Sequence, residues 1–336
     1  MAGRGTRPTL EEVAALAGVG RGTVSRVING SPRVSPRARD AVLAAIDELG
    51  YVPNRAARAL VTRRTETVAL VVAESELRLF DEPFFAGMIR GVSAALTETG
   101  LQLLLALARS PAEYARLEQF LTPQHVDGVL LTSLHAEDPL PGRLEASGVP
   151  TVLGGRPPGI EPVSYVDVDN RSGARQAVEH LVERGRRRIA TIAGPQDMGV
   201  GIDRLTGYRA ALAEAGLPEL VAHGDFSEAS GIAAAEELLA LDPGLDAIFA
   251  ADDPMALGAM RVLRRHGRAV PGDVAVVGFE DSPSAALADP PLTTVHQSAE
   301  EMGREMTRLL LARVNGEPMD DPVVILPPHL VVRASS

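Results

Sequence analysis

Apolar residues before position 52 recur at helical spacing in three short clusters. Thr9 followed three residues later by Glu12 is a capping box, and Val13, Ala14 and Ala17 then share one face of a helix that stops at Gly18. Gly18, Val19 and Gly20 leave room only for a tight turn. A second helix over 21–28 carries Val24, Val27 and Ile28 on one side. Ser35 before Pro36 gives an N-cap with proline at the first helical position, and Ala38, Ala41, Val42, Ala45, Ile46 and Leu49 form a stripe ending at Gly50. Two helices across a short glycine-containing turn make a helix-turn-helix, and the third closes a small all-α domain.

The pattern changes after the polar run TRRTET near residues 61–67. Short apolar runs at 67–73, 101–107, 126–131, 151–153, 189–193, 247–250 and 274–278 read as buried strands. Helical stretches at 83–99, 171–184, 204–215, 228–241 and 254–266 lie between or after them. Alternating strand and helix predicts parallel sheets covered on both faces, and the pattern runs twice. Two α/β lobes are therefore expected behind the helical headpiece.

Charge separates the two parts. Residues 1–64 hold eleven arginines against five acidic residues, about +6, whereas the remainder carries about −17, which together give the formal net charge of −11. All 33 basic residues are arginine. A basic headpiece on an acidic body concentrates polyanion contact at one end and makes it salt-dependent. The absence of cysteine excludes disulfides and thiolate metal sites and fits a reducing cytoplasm. No apolar run reaches membrane-spanning length and MAGRGTRP lacks the apolar core of a signal peptide, so a soluble, cytoplasmic protein without membrane contact is expected.

The second helix has side chains suited to DNA. Arg21 and Gly22 stand at its N-terminus, where such a helix meets base edges in the major groove, and Arg21 can read guanine O6 and N7 bidentately. Thr23, Ser25 and Arg26 follow, with Asn29 and Tyr51 nearby, and small hydroxyls suit phosphate oxygens. Thr9 and Arg33 complete the expected DNA-contacting set. Taken alone, the same helix also reads as a short amphipathic element with an exposed polar side. GVGRGT is not a dinucleotide loop, because it lacks the third glycine and follows a helix rather than a strand.

Three motifs in order, TLEEVAALAGV, TVSRVING and YVPNRAARAL, resemble the DNA-binding headpiece of the LacI/GalR family of bacterial transcription regulators. The resemblance implies that YVPNRAARAL is a hinge helix that forms on operator DNA, pairs with its mate in the minor groove and wedges a leucine between base pairs. On it Asn54 is the helix cap, Ala57 lies at the hinge pair and Leu60 is the wedge, a device known among minor-groove binders. The likeness continues through DVDNRSGARQAVEHLVERGRRRIATIAGP, RLTGYRAAL, AIFAADDPMALGAM, VAVVGFEDSP, PPLTTVHQ and LPPHLVVRAS. It implies a periplasmic-binding-protein-like core of two parallel-sheet subdomains with an effector between them. The expected division is a headpiece at 1–52, a hinge at 53–65 and a core at 66–336. One subdomain spans about 66–166 plus 295–322, the other about 167–294 plus 323–336.

Effector residues follow from the same motifs. Arg204 matches the arginine that binds effector oxygens, Asp252 stands where asparagine is commoner with Asp253 after it, and Glu280 stands where aspartate is usual, beside Phe279. Each has a plain structural alternative: Arg204 pairing at a helix terminus, Asp252 as an N-cap before Pro254, Phe279 in the core. Carboxylates at Asp252 and Glu280 beside one arginine make an acceptor-rich site, which suits a neutral, hydroxyl-donating sugar better than a phosphate. Phe84, Phe85 and Phe279 are the stacking candidates in a chain with 3% aromatic residues. The loop AESELRLFDEP departs from the family pattern and carries extra charge.

The resemblance implies a homodimer that binds a palindromic operator and is controlled by a small carbohydrate effector, acting as a repressor without metal or cofactor. The chain ends soon after LVVRASS without heptad leucines, which favours a dimer over a tetramer. A periplasmic binding protein would share the body but should carry a signal peptide and no headpiece. An enzyme could use His125, His180, His223 or His266, but HExxH, GxSxG and a phosphate loop ending in GKS or GKT are all missing.

Overall fold

The computed structural model describes residues 8–28, 30–52, 64–136, 138–159, 164–319 and 321–336. The chain divides into two compact units, 1–65 and 66–336. In the first, α1 (Leu10–Leu16), α2 (Arg21–Ile28) and α3 (Pro36–Leu49) pack around fully buried Val13, Val24 and Val42. Both arms of the Thr9–Glu12 capping box form. Ser35 caps α3, and Gly50 ends it with the left-handed φ of 61° that a C-cap needs. The expected contacts Asn29, Asn54, Ala57 and Leu60, with most of the hinge, lie outside the described residues.

The second unit holds two six-stranded sheets. In chain order the strands are β1 (Thr67–Val72), β2 (Gln102–Leu107), β3 (Gly128–Thr132), β4 (Thr151–Gly154), β5 (Tyr165–Val168), β6 (Ile189–Ala193), β7 (Val221–His223), β8 (Ala247–Ala250), β9 (Ala275–Glu280), β10 (Thr293–His296), β11 (Val323–Leu326) and β12 (His329–Val331); the first sheet runs β11-β5-β4-β3-β1-β2 and the second β12-β10-β9-β8-β6-β7. Among the described residues the strands of the first sheet pair in parallel, and in the second only β12 runs antiparallel, beside β10. Both place β1 (Thr67–Val72) and β6 (Ile189–Ala193) where the strand order reverses, so the lobes open ligand crevices at the carboxyl ends of their strands.

Three chain segments pass between the lobes. The first follows β5 (Tyr165–Val168), the second follows β10, and the third follows β11 (Val323–Leu326). The expected subdomain limits are corrected accordingly. Residues 323–326 belong to the first sheet, where Val323 to Leu326 pair in register with Tyr165 to Val168. Thr293 to His296 stay in the second sheet beside Val277 to Glu280. In each case the hydrogen-bond ladder continues past the position at which the sequence motif suggested a crossing.

The first lobe is closed by α5 (Pro83–Leu96) against α13 (Ala299–Asn315), with the backbones almost touching. A Cβ on Gly91 would stand 2.0 Å from the Glu300 carbonyl oxygen, and one on Gly303 2.4 Å from that of Met88. The helix α4 (Glu76–Asp81) occupies the charged loop that had been read without structure; Ser75 caps it. The helix expected at 204–215 begins earlier, as α9 (Gly199–Ala215), because glycines lower helical preference in GVGID and hide its first turn.

Candidate functional site

Arg204 sits on the second turn of α9, where α9 faces the first interlobe crossing. It is 2% exposed. Its Nε donates to Asn170 Oδ1 at 2.9 Å, Nη1 to the Ala251 carbonyl at 2.6 Å and Nη2 to Gln297 Oε1 at 3.1 Å. The guanidinium lies 3.6 Å from the Phe279 ring centroid, a cation–π contact. Burial brings its pKa down to about 10, with the nearby carboxylates of Glu280 and Asp252 opposing that fall. Arg204 stays charged at neutral pH in a braced pose on the cavity wall.

Glu280 ends β9 (Ala275–Glu280) and faces the same cavity. Its φ of 114° is rarely adopted by a residue with a side chain. Ser133, at φ 61°, and Phe226, at φ 69°, also line the cavity, so strained backbone gathers at the cleft. Burial pushes Glu280 up to about 8 against the pull of Arg204. Asp253 holds this corner, accepting from Thr294 Oγ1 at 2.6 Å and Ser282 N at 2.7 Å.

Two expected effector contacts are corrected. Asp252 does not line the cavity; its Oδ1 accepts from Met255 N at 2.8 Å and caps α11 (Asp253–Arg265). Burial, with Glu280 next in strength, holds its carboxyl well above the usual range. Phe279 is fully buried in the second-lobe core, because adjacent strand residues face opposite sides. Its ring lies against the Arg204 guanidinium.

The first lobe contributes Phe84 and Phe85, which meet edge to face at 5.5 Å and both line the cavity. Beside them Arg78 bridges two carboxylates, Glu82 through Nε and Glu74 through Nη1 at 2.5 Å. Glu74 also accepts from Ser133 Oγ at 2.6 Å. The cavity lies between the lobes and opens to solvent.

Contacts bridge the cleft. His135 Nδ1 is 2.7 Å from Asp197 Oδ2, and Ala136 N donates to the Asp197 carbonyl at 2.6 Å. Glu74 and Asp197 raise the His135 pKa to about 9. Arg156 Nη2 donates to Asp203 Oδ2 at 2.8 Å, and its carbonyl is so near Gly199 that a Cβ there would stand 2.2 Å from the oxygen. Arg78 lies 5.3 Å from the ring centroid of Phe226 in the opposite lobe.

In the headpiece, Arg21 and Gly22 are exposed at the start of α2, and Arg26 and Arg33 are exposed further on. Arg21 Nη1 is 3.0 Å from Glu11 Oε1, both side chains well exposed. The Thr9 hydroxyl bonds Glu12 within the capping box. Thr23 and Ser25 are half-buried on α2, and Tyr51 packs against the headpiece core.

Sequence reasoning missed Arg78, Glu82, His135, Asp197, Arg156, Asp203 and Phe226. Asn170 and Gln297 lie in the motifs DVDNRSGARQ and PPLTTVHQ. Among the described residues no cluster of His, Cys, Asp and Glu could hold a metal, and no helix is long and apolar enough to cross a membrane.

A helix-turn-helix unit followed by a two-lobed α/β unit with a polar cleft defines the ligand-responsive DNA-binding regulators. The chain belongs to the lacI family of bacterial regulatory proteins, whose model matches residues 9–54, while a periplasmic binding protein-like domain matches 178–336. It is 60% identical to the transcriptional regulator CelR of Thermobifida fusca over 99% of each chain, and 33% identical to catabolite control protein A of Priestia megaterium over 98% and 99%. Its fold matches a solved complex of CelR with cellobiose at a TM-score of 0.79, with 58% identity over 98% of this chain and 100% of that one. It matches a lac repressor dimer bound to operator and an anti-inducer at a TM-score of 0.88, with 28% identity over 98% and 99%. The family consists of transcription regulators rather than enzymes.

Proposed function

We propose that this regulator is a dimeric repressor whose headpieces read the two halves of a palindromic operator, and whose cleft takes a neutral sugar of the cellobiose type. The observation that carries the sugar reading is the cleft itself. A braced Arg204 and the carboxyls of Glu82 and Glu280 face one cavity, in a chain 60% identical to CelR, whose complex with cellobiose has been solved. Arginine donates to sugar oxygens and carboxylates accept from hydroxyls, whereas Phe84 and Phe85 offer apolar surface to a ring face.

On DNA, Arg21 reads a base while Thr9, Thr23, Ser25, Arg26, Asn29, Arg33 and Tyr51 position the headpiece on phosphates. Asn54, Ala57 and Leu60 build the hinge pair. Gly22 gives the adjacent base little to meet. The sugar changes the relative pose of the lobes, and operator affinity moves by its differential affinity for the two poses. The protein works in the cytoplasm and returns its sugar unchanged.

A genomic-fragment binding selection with purified protein, repeated with cellobiose and other sugars, tests this. Enrichment of a palindrome that one neutral sugar abolishes or sharpens is expected. No enriched palindrome in any condition would sink the operator reading, and calorimetry silent to sugars but responsive to a phosphorylated ligand or nucleobase would sink the effector reading.

A further inference from the structure

Glu82 occupies the N-cap position of α5 yet makes no capping bond. Its carboxylate turns instead to Arg78 and lines the cavity. Arg78 has little left to offer a ligand, since its guanidinium is held by Glu82 and Glu74 and lies 5.3 Å from the Phe226 ring centroid. The other first-lobe arginine on the cavity wall, Arg156, is paired with Asp167 and Asp203, so the acceptor that the first lobe fixes at the cavity is Glu82. Glu280 lies on the second-lobe wall, with Asp252 behind it.

Resting on the sugar reading above, we propose that Glu82, aligned by Arg78, is the specificity determinant of the first lobe: it accepts hydrogen bonds from the hydroxyls of a neutral sugar and, with Glu280 opposite, bars phosphorylated and other anionic sugars. A hydroxyl-bearing ligand supplies donors to both walls. A phosphoryl group at neutral pH brings two negative charges and few protons, so it either meets ionised carboxylates or must hold them in their protonated form, whereas a hydroxyl-bearing ligand fills them as acceptors.

Proton balance agrees with this. Burial pushes Glu82 up to about 7 against the pull of Arg78, with Glu74 on its own side and Asp225 from the second lobe adding to the rise. Glu280 feels Glu82, Arg204, Asp253 and Arg78, and Asp252 feels both Glu82 and Glu280. Hydroxyl donors favour the ionised carboxylate, so binding a neutral sugar near pH 7 releases protons.

The test is calorimetry on the full chain, wild type and Glu82→Gln, with cellobiose and with cellobiose 6-phosphate, each in two buffers of different ionisation heat. Wild type should bind cellobiose with proton release and the phosphorylated sugar at least a hundredfold more weakly. Glu82→Gln should bind cellobiose at least tenfold more weakly, narrow the gap between the two ligands at least tenfold and release fewer protons. Glu82→Asp, which keeps the charge on a shorter arm, should weaken cellobiose binding while preserving the gap, and decides the matter should the Gln variant not fold. Cellobiose affinity of Glu82→Gln within twofold of wild type, an unchanged gap, or a gap lost in Glu82→Asp would overturn the proposal while leaving the sugar reading intact. Wild type binding no neutral sugar would overturn both.

Discussion

Arg204 donates from Nη2 to Gln297 Oε1 and from Nε to Asn170 Oδ1, and these two acceptors stand on two of the three segments that pass between the lobes. The residue expected to touch the effector is thus also bonded to the hinge. A ligand that shifts its guanidinium pulls on both crossings, which gives the cleft a physical route to the lobe angle. Gln297→Ala removes one bond and should cost about 1 kcal/mol of core stability. Arg204→Ala leaves Asn170, Gln297 and the Ala251 carbonyl without their donor, and should cost about 3 kcal/mol or more and abolish sugar binding. Thermal unfolding with and without cellobiose checks both; a fully stable Arg204→Ala would exclude the hinge role.

Closure is set by a glycine as much as by charge. Gly199 lies against the Arg156 carbonyl, and a Cβ there would stand 2.2 Å from that oxygen, a backbone obstacle that cannot swing aside. Gly199→Ala should therefore hold the lobes apart without removing a ligand contact. Small-angle scattering should report a larger radius of gyration for the variant with cellobiose than for wild type, and the affinity should fall about tenfold, near 1.4 kcal/mol. An unchanged radius with unchanged affinity would mean that the contact can relax.

The architecture was legible because its signals are local. Thr9 with Glu12, Ser35 with Pro36 and the terminal Gly50 mark helix ends, and the buried strands at 189–193 and 247–250 are apolar along their whole length. The cleft was half legible. Arg204, Glu280, Phe84 and Phe85 line the cavity, whereas Asp252 and Phe279 took the structural roles that a cap before Pro254 and an alternating strand offered. Asp197 and Asp203 could not be paired with His135 and Arg156 from sequence, because 62 and 47 residues separate the partners and only lobe closure brings them together.

The His135 link makes the core sensitive to alkali. Glu74 and Asp197 raise its folded pKa to about 9, above the ordinary histidine value of 6.5. A raised pKa means that its stabilisation is fully present below about 6.5 and is lost as pH rises through about 9. Glu82, up to about 7, and Glu280, up to about 8, have folded values above 4.5, so they lose their contribution over a lower window. The melting temperature should thus decline from neutral pH to pH 10. In His135→Gln the part of the decline between pH 8 and 10 should flatten; an unaltered slope there would show that Glu74 and Asp197 do not hold the imidazole in its charged form.

On the headpiece, Arg21 is engaged by Glu11 at 3.0 Å, but both side chains are more than half exposed, and a pair of that kind is worth at most about 1 kcal/mol. Base recognition can displace it readily. Arg21→Ala should weaken operator binding by about 1 to 3 kcal/mol and relax preference at one symmetric base position, whereas Tyr51→Phe should weaken all sequences alike. Glu11→Gln separates the two roles of the arginine. It should tighten binding to any DNA modestly, through the lost negative charge, and leave the base preference as it was. Competition binding against single-base operator variants reads both effects. Unchanged preference in Arg21→Ala would place base reading elsewhere on α2, and a shifted preference in Glu11→Gln would mean that the Glu11 pair itself sets the arginine's docking pose.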